Sequence, residues 1–527
     1  MEKLNIVLPE SKEENENNQQ ADSLMNQSAV VPLFEKKEEA PLLRKVRSNF
    51  RIFGGISLIF GVFFAFCFYE TFIGVNVFFF TIVMVVLLHL VMKNLQLPIK
   101  NGTKAYYTGV LLLGASSMFT ASETLQFLNI VGILFLLDLS LLHQVYEVRY
   151  WEFSKHTGRM FALFFEAVAA IGKPFSDGTN FLKQTKLFKK DKTRNILIGI
   201  VVALPLLWLI TLLLSSADLL FSEMTHHIYD FLFSSEVIKV ATIVLFGFLA
   251  CYCIIAAVVT RTGVTIEKNR KKADAAIANT FMTLLCLVYV MFCGIQLVFL
   301  FSSGISVLPE QFTFAEYARR GFFELLVVTI INIILMLVCN EYFTESKLLR
   351  FIITGMTVCT YIMIASSAYR MILYIGAYHL TFLRVFVLLA LFVDALVLTG
   401  VILKQYKPKF PLFQYCVAVT AICYVVFSFS KPDYFIASYY VKHDEVIDSE
   451  DIEFLTYELS PDAAGVVIPL LMGVQNNSSE TPLSEVYIGS INNYYQRITD
   501  KQEASSFRDF NLSFYVASQL TKKYQID

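Results

Sequence analysis

The chain has 527 residues, of which 56% are hydrophobic and 17% are charged, and its formal net charge is −1. Soluble domains are about 45–50% apolar and about 25% charged, so this composition excludes an ordinary soluble protein and indicates an integral membrane protein. We expect the lipid bilayer to be its main partner and expect no nucleic-acid partner. All nine cysteines lie inside predicted membrane spans, which argues against a disulfide framework.

The first 43 residues are polar and rich in Asn, Gln, Glu and Lys. They contain no apolar run that could act as a cleavable signal peptide. Because their apolar surface is too small to offset the entropy of ordering, we predict that residues 1–43 form a disordered cytoplasmic segment.

About eleven apolar segments follow between residues 44 and 430, and most can cross a hydrocarbon core of about 30 Å at 1.5 Å per residue. We therefore predict an all-α fold, a polytopic helical membrane protein with about eleven transmembrane helices. The predicted spans are approximately Ile52–Phe68, Phe72–Met92, Tyr106–Ala121, Leu125–Leu142, Ile196–Leu214, Val240–Val259, Phe281–Phe301, Phe322–Cys339, Phe351–Ile372, Leu380–Leu403 and Leu412–Phe429.

The longest internal connection, residues 143–194, is rich in Lys and Arg. Within it Phe161–Ile171 is apolar but too short to span, so we interpret it as an interfacial helix under anionic lipid headgroups. The connection Ser215–Ile238 instead carries acidic residues and has apolar residues at helical spacing, which predicts a second interfacial helix on the other side.

Lys and Arg are concentrated in alternate loops, and short cytoplasmic loops carry such an excess. The basic loops are therefore predicted to be cytoplasmic, together with the amino terminus. An odd number of spans then places residues 431–527 outside the cytoplasm. We predict that this acidic tail is a small helical domain leaning on the outer surface of the bundle, with a helix start at Ser460-Pro461-Asp462 and a final amphipathic helix over Phe510–Lys523.

Several ionisable and aromatic residues are predicted at one depth near the outer side, where an ionisable group inside a span suggests a function. Guanidinium groups bind phosphate or carboxylate in a bidentate manner, so the cluster suits an anionic head group. Alternatively, the glutamates pair with two arginines and the tyrosines form part of the aromatic belt. The candidate residues are Glu316, Arg319, Arg320, Glu324, Arg370, Tyr374, Tyr378, His379 and Arg384.

Two carboxylates, Asp138 and Asp394, lie inside predicted spans. Each either carries a proton or cation, or is a protonated acid bonded to a neighbouring helix. Asn332 and Gln296 are predicted to form hydrogen bonds between helices. Glu223, His227 and Asp230 have a spacing compatible with a metal, but are more simply a solvated helix face, so we predict no metal and no cofactor.

The chain contains no GxxxxGK[ST] loop, no HExxH and no GxSxG in a strand–turn–helix setting, which disfavours an enzyme of these classes. The chain contains the segments Leu212–Phe221 (LLLSSADLLF), Phe314–Glu324 (FAEYARRGFFE), Tyr378–Arg384 (YHLTFLR) and Lys431–Ala437 (KPDYFIA). In this order they resemble landmarks of bacterial membrane proteins of domain of unknown function 4153/4173. His379 stands where the family pattern has glycine, and Lys431 where asparagine is usual. The resemblance implies a bacterial cell-membrane protein without an established activity.

Two functional hypotheses follow. The first is a non-enzymatic protein with a regulatory or structural role in the cell envelope, which presents its external tail and cytoplasmic basic surface to membrane-protein partners or to anionic lipid. The alternative is a transporter or lipid-processing protein that binds an anionic head group at the outward Arg/Tyr cluster.

Overall fold

The computed structural model describes residues 40–146, 148, 151–184, 236–260, 272–301, 322–443, 449–477 and 485–525, with short stretches between 199 and 223. Regular structure in these residues is helical, apart from an isolated bridge between Ala273 and Phe343. In chain order the helices are α1 (Pro41–Ser48), α2 (Phe50–Phe68), α3 (Val75–Leu95), α4 (Asn101–Phe119), α5 (Glu123–Val145), α6 (Phe153–Ala169), α7 (Lys173–Gln184), α8 (Glu236–Thr260), α9 (Ala275–Phe301), α10 (Phe322–Tyr342), α11 (Lys347–Tyr378), α12 (Phe382–Tyr406), α13 (Leu412–Phe429), α14 (Pro432–His443), α15 (Ser449–Glu453), α16 (Ala464–Asn477), α17 (Glu485–Ala504) and α18 (Leu512–Gln525).

Among the described residues, nine helices are long and apolar enough to cross a membrane, namely α2, α3, α5 and α8 to α13. The chain is therefore an all-helical, multi-pass membrane protein. The helix α1 begins within the last residues of the predicted disordered segment, because Pro41 suits a first helical turn and Leu43 and Val46 are buried. The rest of that segment lies outside the described residues.

Two of the eleven predicted spans are missing from these nine. The predicted span Tyr106–Ala121 is the helix α4, which packs beside α3 and α5 but begins with the polar sequence NGTKAYYTG. Its mean hydropathy is lowered by those residues, and its buried Ser116 and Ser117 face other helices rather than lipid. The predicted span Ile196–Leu214 lies largely outside the described residues.

The helices α2 and α8 make a close backbone contact. A Cβ atom added to Gly61 would lie 2.3 Å from the carbonyl oxygen of Val244, and one added to Gly247 would lie 2.8 Å from the Cα of Gly61. Small residues let two membrane helices approach in this way. A second packing centre lies among the four helices α9, α10, α11 and α12, around the fully buried Met282, Met336 and Met356.

One end of the bundle, where α2 begins and α3 ends, is called the basic end here. The short helices α1, α6 and α7 lie at this end. The fully buried carboxylate of Asp177 on α7 accepts hydrogen bonds from Nε of Arg47 at 2.6 Å and from the hydroxyl of Tyr252 at 3.0 Å. The helix α7 is thereby joined to α1 and α8. The exposed apolar face of α6, which suits a helix lying in a membrane interface, comprises Phe161, Phe164, Phe165 and Val168.

The opposite end, called the tail end, carries α14 to α18. These helices share a hydrophobic core of their own, which includes Ile436, Leu455, Val467 and Ile498. The predicted helix start at Ser460 is confirmed, because its hydroxyl accepts a hydrogen bond from the backbone N–H of Asp462 and caps a 3-10 turn. The described tail is thus helical and packs on the bundle.

Candidate functional site

The predicted Arg/Tyr cluster is positioned by α11, which continues past the predicted end at Ile372 to Tyr378. Arg370, Tyr374 and Tyr378 therefore lie on one helix, and the rings of the two tyrosines are 5.0 Å apart. The chain reverses after His379, and α12 then brings Arg384 back against the end of α11.

Arg384 closes the end of α11. Its Nη1 donates hydrogen bonds to the carbonyl oxygens of Tyr378 and His379, and its guanidinium carbon lies 4.3 Å from the ring centroid of Tyr374. The last carbonyls of a helix lack intrahelical donors and carry partial negative charge, so a cation is favourable there. Stacking on the tyrosine ring adds a cation–π contact. Arg384 thus acts as a helix cap.

His379 adopts a backbone conformation that favours glycine, with φ of 64° and ψ of −177°. A residue with a Cβ is strained in this region, whereas glycine enters it without a steric penalty. The imidazole ring packs 4.9 Å from the ring of Tyr440 on α14, which holds it in place. A glycine, which the resemblance implies at this position, would adopt the conformation without strain, and the histidine adds the ring contact with Tyr440.

Arg370 is 7% exposed and lies between α9 and α11. Its Nη2 donates to Oε1 of Gln296 at 3.1 Å, and the hydroxyl of Ser366 donates to the same oxygen at 2.7 Å. The predicted role of Gln296 between helices is confirmed. Asn332 fulfils the same role, because its Nδ2 donates to Oγ1 of Thr360 at 3.1 Å.

Of the four remaining members of the predicted cluster, the structure describes Glu324 alone. Glu324 is exposed at the start of α10 and forms no ion pair with any residue that the structure describes. Glu316, Arg319 and Arg320 lie outside the described residues. The part of the cluster that the structure does place comprises Tyr374, Tyr378, His379 and Arg384 at the turn between α11 and α12, with Arg370 deeper in the bundle.

The two intramembrane carboxylates differ in their contacts. Asp394 on α12 accepts a hydrogen bond from Oγ1 of Thr329 on α10 at 3.2 Å. Asp138 is half-buried on α5 and forms no hydrogen bond with the described part of the chain. Within that part, no group of three or more His, Cys, Asp and Glu side chains could hold a metal ion. Of the three residues whose spacing is compatible with a metal, His227 and Asp230 lie outside the described residues.

Sequence reasoning missed the carboxylates that attach the tail to the bundle. Asp462, which is 6% exposed, accepts hydrogen bonds from the hydroxyl of Thr120 and, at 2.7 Å, from the backbone N–H of Ala121. Asp509 accepts a hydrogen bond from the backbone N–H of Phe72 at 3.2 Å. The tail therefore binds the turn between α4 and α5 and the turn between α2 and α3.

Further contacts strengthen this attachment. Asn511 donates from Nδ2 to the carbonyl oxygen of Thr120 at 2.8 Å, and the backbone N–H of Val75 donates to the carbonyl oxygen of Phe510 at 2.9 Å. A Cβ atom on Gly74 would lie 2.5 Å from the carbonyl oxygens of both Asp509 and Phe510. The tail backbone is thus in direct contact with the α2–α3 turn, where only glycine leaves room.

Asp433 on α14 supports the same joint from within the tail. Its Oδ2 accepts hydrogen bonds from the hydroxyl of Ser460 at 2.5 Å and from the backbone N–H of Ser460 at 3.2 Å. Burial raises the pKa of the Asp433 carboxyl despite these hydrogen bonds, and the nearby Asp462 raises it further.

Comparison with known proteins places this arrangement in a family. No curated protein and no solved structure matches the chain. The family model described as a domain of unknown function (DUF4153) matches residues 107–470, from α4 to α16. This match covers more than half of the chain and includes the α11–α12 turn and the 3-10 turn that carries Asp462. The chain therefore belongs to the DUF4153 family.

Proposed function

We propose that the protein is a non-enzymatic integral membrane protein of the bacterial cell membrane with a regulatory or structural role in the cell envelope. The observation that carries this proposal is the attachment of the helical tail to the bundle through buried groups of Asp462, Asp509 and Asn511. Such contacts hold the tail in a fixed position against the bundle, from which it can present a surface to a partner.

We also propose that the chain crosses the membrane eleven times. Gln126 donates to the carbonyl oxygen of Ile73, and Gln144 donates to that of Pro98, so α3 and α5 run in the same direction. The helix α4 that connects them must then cross in the opposite direction. It has 19 residues, enough for about 28 Å.

The eleventh crossing lies between α7 and α8. Lys173 on α7 donates to the hydroxyl of Thr260 at 2.7 Å, so α8 ends at the basic end. The helix α8 begins at the tail end, where Glu236 accepts a hydrogen bond from Tyr69. A crossing between α7 and α8, at the predicted span Ile196–Leu214, is therefore part of the proposal.

The distribution of cations supports a cytoplasmic basic end and an extracytoplasmic tail, which forms a small helical domain in this proposal. Among the described connections that join the spanning helices at the tail end, residues 69–74, 120–122 and 379–381 contain no Lys or Arg. Residues 430–431, which lead from α13 into the tail, contain Lys431. The basic end carries Lys93, Lys100, Lys347, Arg350, Lys404, Lys407 and Lys409. Such an asymmetry favours retention of the basic loops in the cytoplasm.

Cysteine labelling tests the orientation. In a chain whose native cysteines are replaced, Ser505→Cys at the tail end should react with an impermeant maleimide in intact cells. Lys407→Cys, which is exposed at the basic end, should react only after cell lysis. The reverse pattern of labelling would overturn the orientation and the extracytoplasmic placement of the tail.

The structural role is preferred over transport or lipid processing because Arg384 caps α11 and Arg370 contacts Gln296. Loss of either arginine should then lower the amount of protein in membranes, because a helix end or an interhelical contact loses its donor. The exposed Lys442→Ala on α14 is the control and should leave the amount unchanged. Normal amounts of Arg370→Ala and Arg384→Ala proteins that fail to complement a deletion strain would favour the head-group-binding alternative.

A further inference from the structure

A cavity of about 280 Å³ lies at the basic end, far from the Arg/Tyr cluster. It is formed by the ends of α10 and α12, the starts of α11 and α13, and residues 151–153. Its inner wall is apolar and includes Leu337, Leu349 and Leu412. Charged and amide side chains also line the cavity, so it can receive a small polar group.

The carboxylates of the cavity have partners of their own. Glu341 accepts hydrogen bonds from the backbone N–H of Ser154 at 3.0 Å and from the hydroxyl of the same residue. Glu345 lies 3.7 Å from the guanidinium of Arg350. For Glu152, burial raises the pKa of the carboxyl and the adjacent Glu341 raises it further, whereas Lys272 and Lys155 lower it.

The lysines of the cavity are not paired in this way. Lys272, Lys404 and Lys409 line it, and none forms a direct ion pair with a carboxylate among the described residues. Glu152 attracts Lys272 and Lys404 at longer range. Lys404 donates to the carbonyl oxygens of Pro408 at 2.6 Å and Phe410 at 3.3 Å. An ammonium group has three donors, so one proton of Lys404 remains for another acceptor.

Asn340 provides an independent indication that an acceptor belongs here. Its Oδ1 accepts a hydrogen bond from Nε2 of Gln405, whereas its Nδ2 is buried and has no hydrogen-bond partner among the described residues. A buried donor without an acceptor costs about 1–3 kcal/mol. Asn340 lines the cavity together with the lysines, so one anionic ligand can satisfy the amide and the ammonium groups.

We propose that this cavity binds the phosphate group of a small ligand, with Lys272, Lys404, Lys409 and Nδ2 of Asn340 as its donors. Phosphate offers several acceptor oxygens to such a set of donors. The volume lies just below the usual range of about 300–1,000 Å³ for ligand pockets, which suits a glycerophosphate-sized group better than a nucleotide. The phosphate belongs either to an anionic lipid headgroup or to a free phosphorylated compound.

Binding of two defined probes distinguishes these sources. The full chain is placed in nanodiscs of phosphatidylcholine alone or with phosphatidylglycerol, and native mass spectrometry counts the phosphatidylglycerol retained. Glycerol phosphate is titrated calorimetrically into the nanodiscs of phosphatidylcholine alone. The test variant is Lys272→Gln/Lys409→Gln, since both lysines are exposed and neither takes part in the described hydrogen bonds. The control is Lys407→Gln, an exposed lysine of the same turn that does not line the cavity.

The double variant should bind the relevant probe at least about tenfold more weakly, because two charge-assisted contacts are lost. Loss of phosphatidylglycerol retention identifies the lipid headgroup, and loss of glycerol phosphate binding identifies the free compound. Equal binding of both probes by wild type and double variant, or a loss of equal size in Lys407→Gln, would overturn the proposal. The role proposed above has its own tests in maleimide labelling and protein abundance, so the two proposals can fail separately.

Discussion

Arg47 on α1 and Asp177 on α7 form an ion pair of 2.6 Å in which the carboxylate is fully buried. The helix α1 precedes the first span, and α7 lies in the long basic connection. The pair therefore holds together two segments whose positions the predicted spans do not determine. Tyr252 on α8 donates to the second oxygen of the same carboxylate at 3.0 Å.

Asp177→Ala should lower the free energy of unfolding by about 3 kcal/mol, because it removes the buried carboxylate that the guanidinium and the tyrosine hydroxyl share. Most of the native cysteines are buried. A thiol-reactive dye can therefore follow thermal unfolding in detergent. The exposed Lys183→Ala on α7 is the control. An unchanged melting temperature for Asp177→Ala would show that the pair does not hold α7 in place.

Asp433 makes the attachment of the tail depend on pH. Burial raises the pKa of its carboxyl in the folded protein, so folding favours the protonated form. The stability from this group is present below the ordinary pKa of an aspartate, about 3.9, and is lost as pH rises through the folded pKa. The tail should therefore be held less firmly as pH rises above about 4.

Limited proteolysis of the tail at a series of pH values measures this effect. Asp433→Asn should make the rate of cleavage less dependent on pH, because the amide does not titrate and still offers Ser460 an acceptor. Replacing Glu503, which is exposed on α17, by Gln provides the control. A pH profile that is the same for wild type and Asp433→Asn would contradict this role of Asp433.

The predictions from sequence succeeded where the determining information is local. A run of about twenty apolar residues is sufficient to identify a span, and nine such helices are present in the described residues. The cap at Ser460 is also local. The end of α11 was placed too early because Tyr374, Gly376 and Tyr378 lower the hydropathy without interrupting the helix.

The contacts that hold the tail were missed for a different reason. Asp462 belongs to the predicted helix start Ser460-Pro461-Asp462, where an acid commonly interacts with the positive end of the helix. Its partners, Thr120 and Ala121, are hundreds of residues away in the chain. No local pattern identifies them. The same reason explains why Asp177 and the cavity around Asn340 were not predicted.

His379→Gly should stabilise the protein by about 1 kcal/mol. Relief of backbone strain contributes about 1–3 kcal/mol, and loss of the ring contact with Tyr440 removes about 0.5–1.5 kcal/mol. His379→Ala separates the two effects, because it keeps the Cβ at φ of 64° but loses the ring, and it should destabilise the protein. Thermal unfolding of the three proteins should give the highest melting temperature for glycine, an intermediate one for histidine and the lowest for alanine at position 379. A lower melting temperature for His379→Gly than for wild type would show that the ring contact exceeds the strain.

Gly61→Ala should lower the free energy of unfolding by more than about 2 kcal/mol, although alanine is the better helix former. The new Cβ would lie 2.3 Å from the carbonyl oxygen of Val244, and a backbone atom cannot move without separating α2 from α8. Gly55→Ala on the same helix is the matched control. No atom lies within 4 Å of a Cβ there, so this variant should match wild type or be slightly more stable. Equal melting temperatures for the two alanine variants would mean that α2 and α8 do not cross at Gly61.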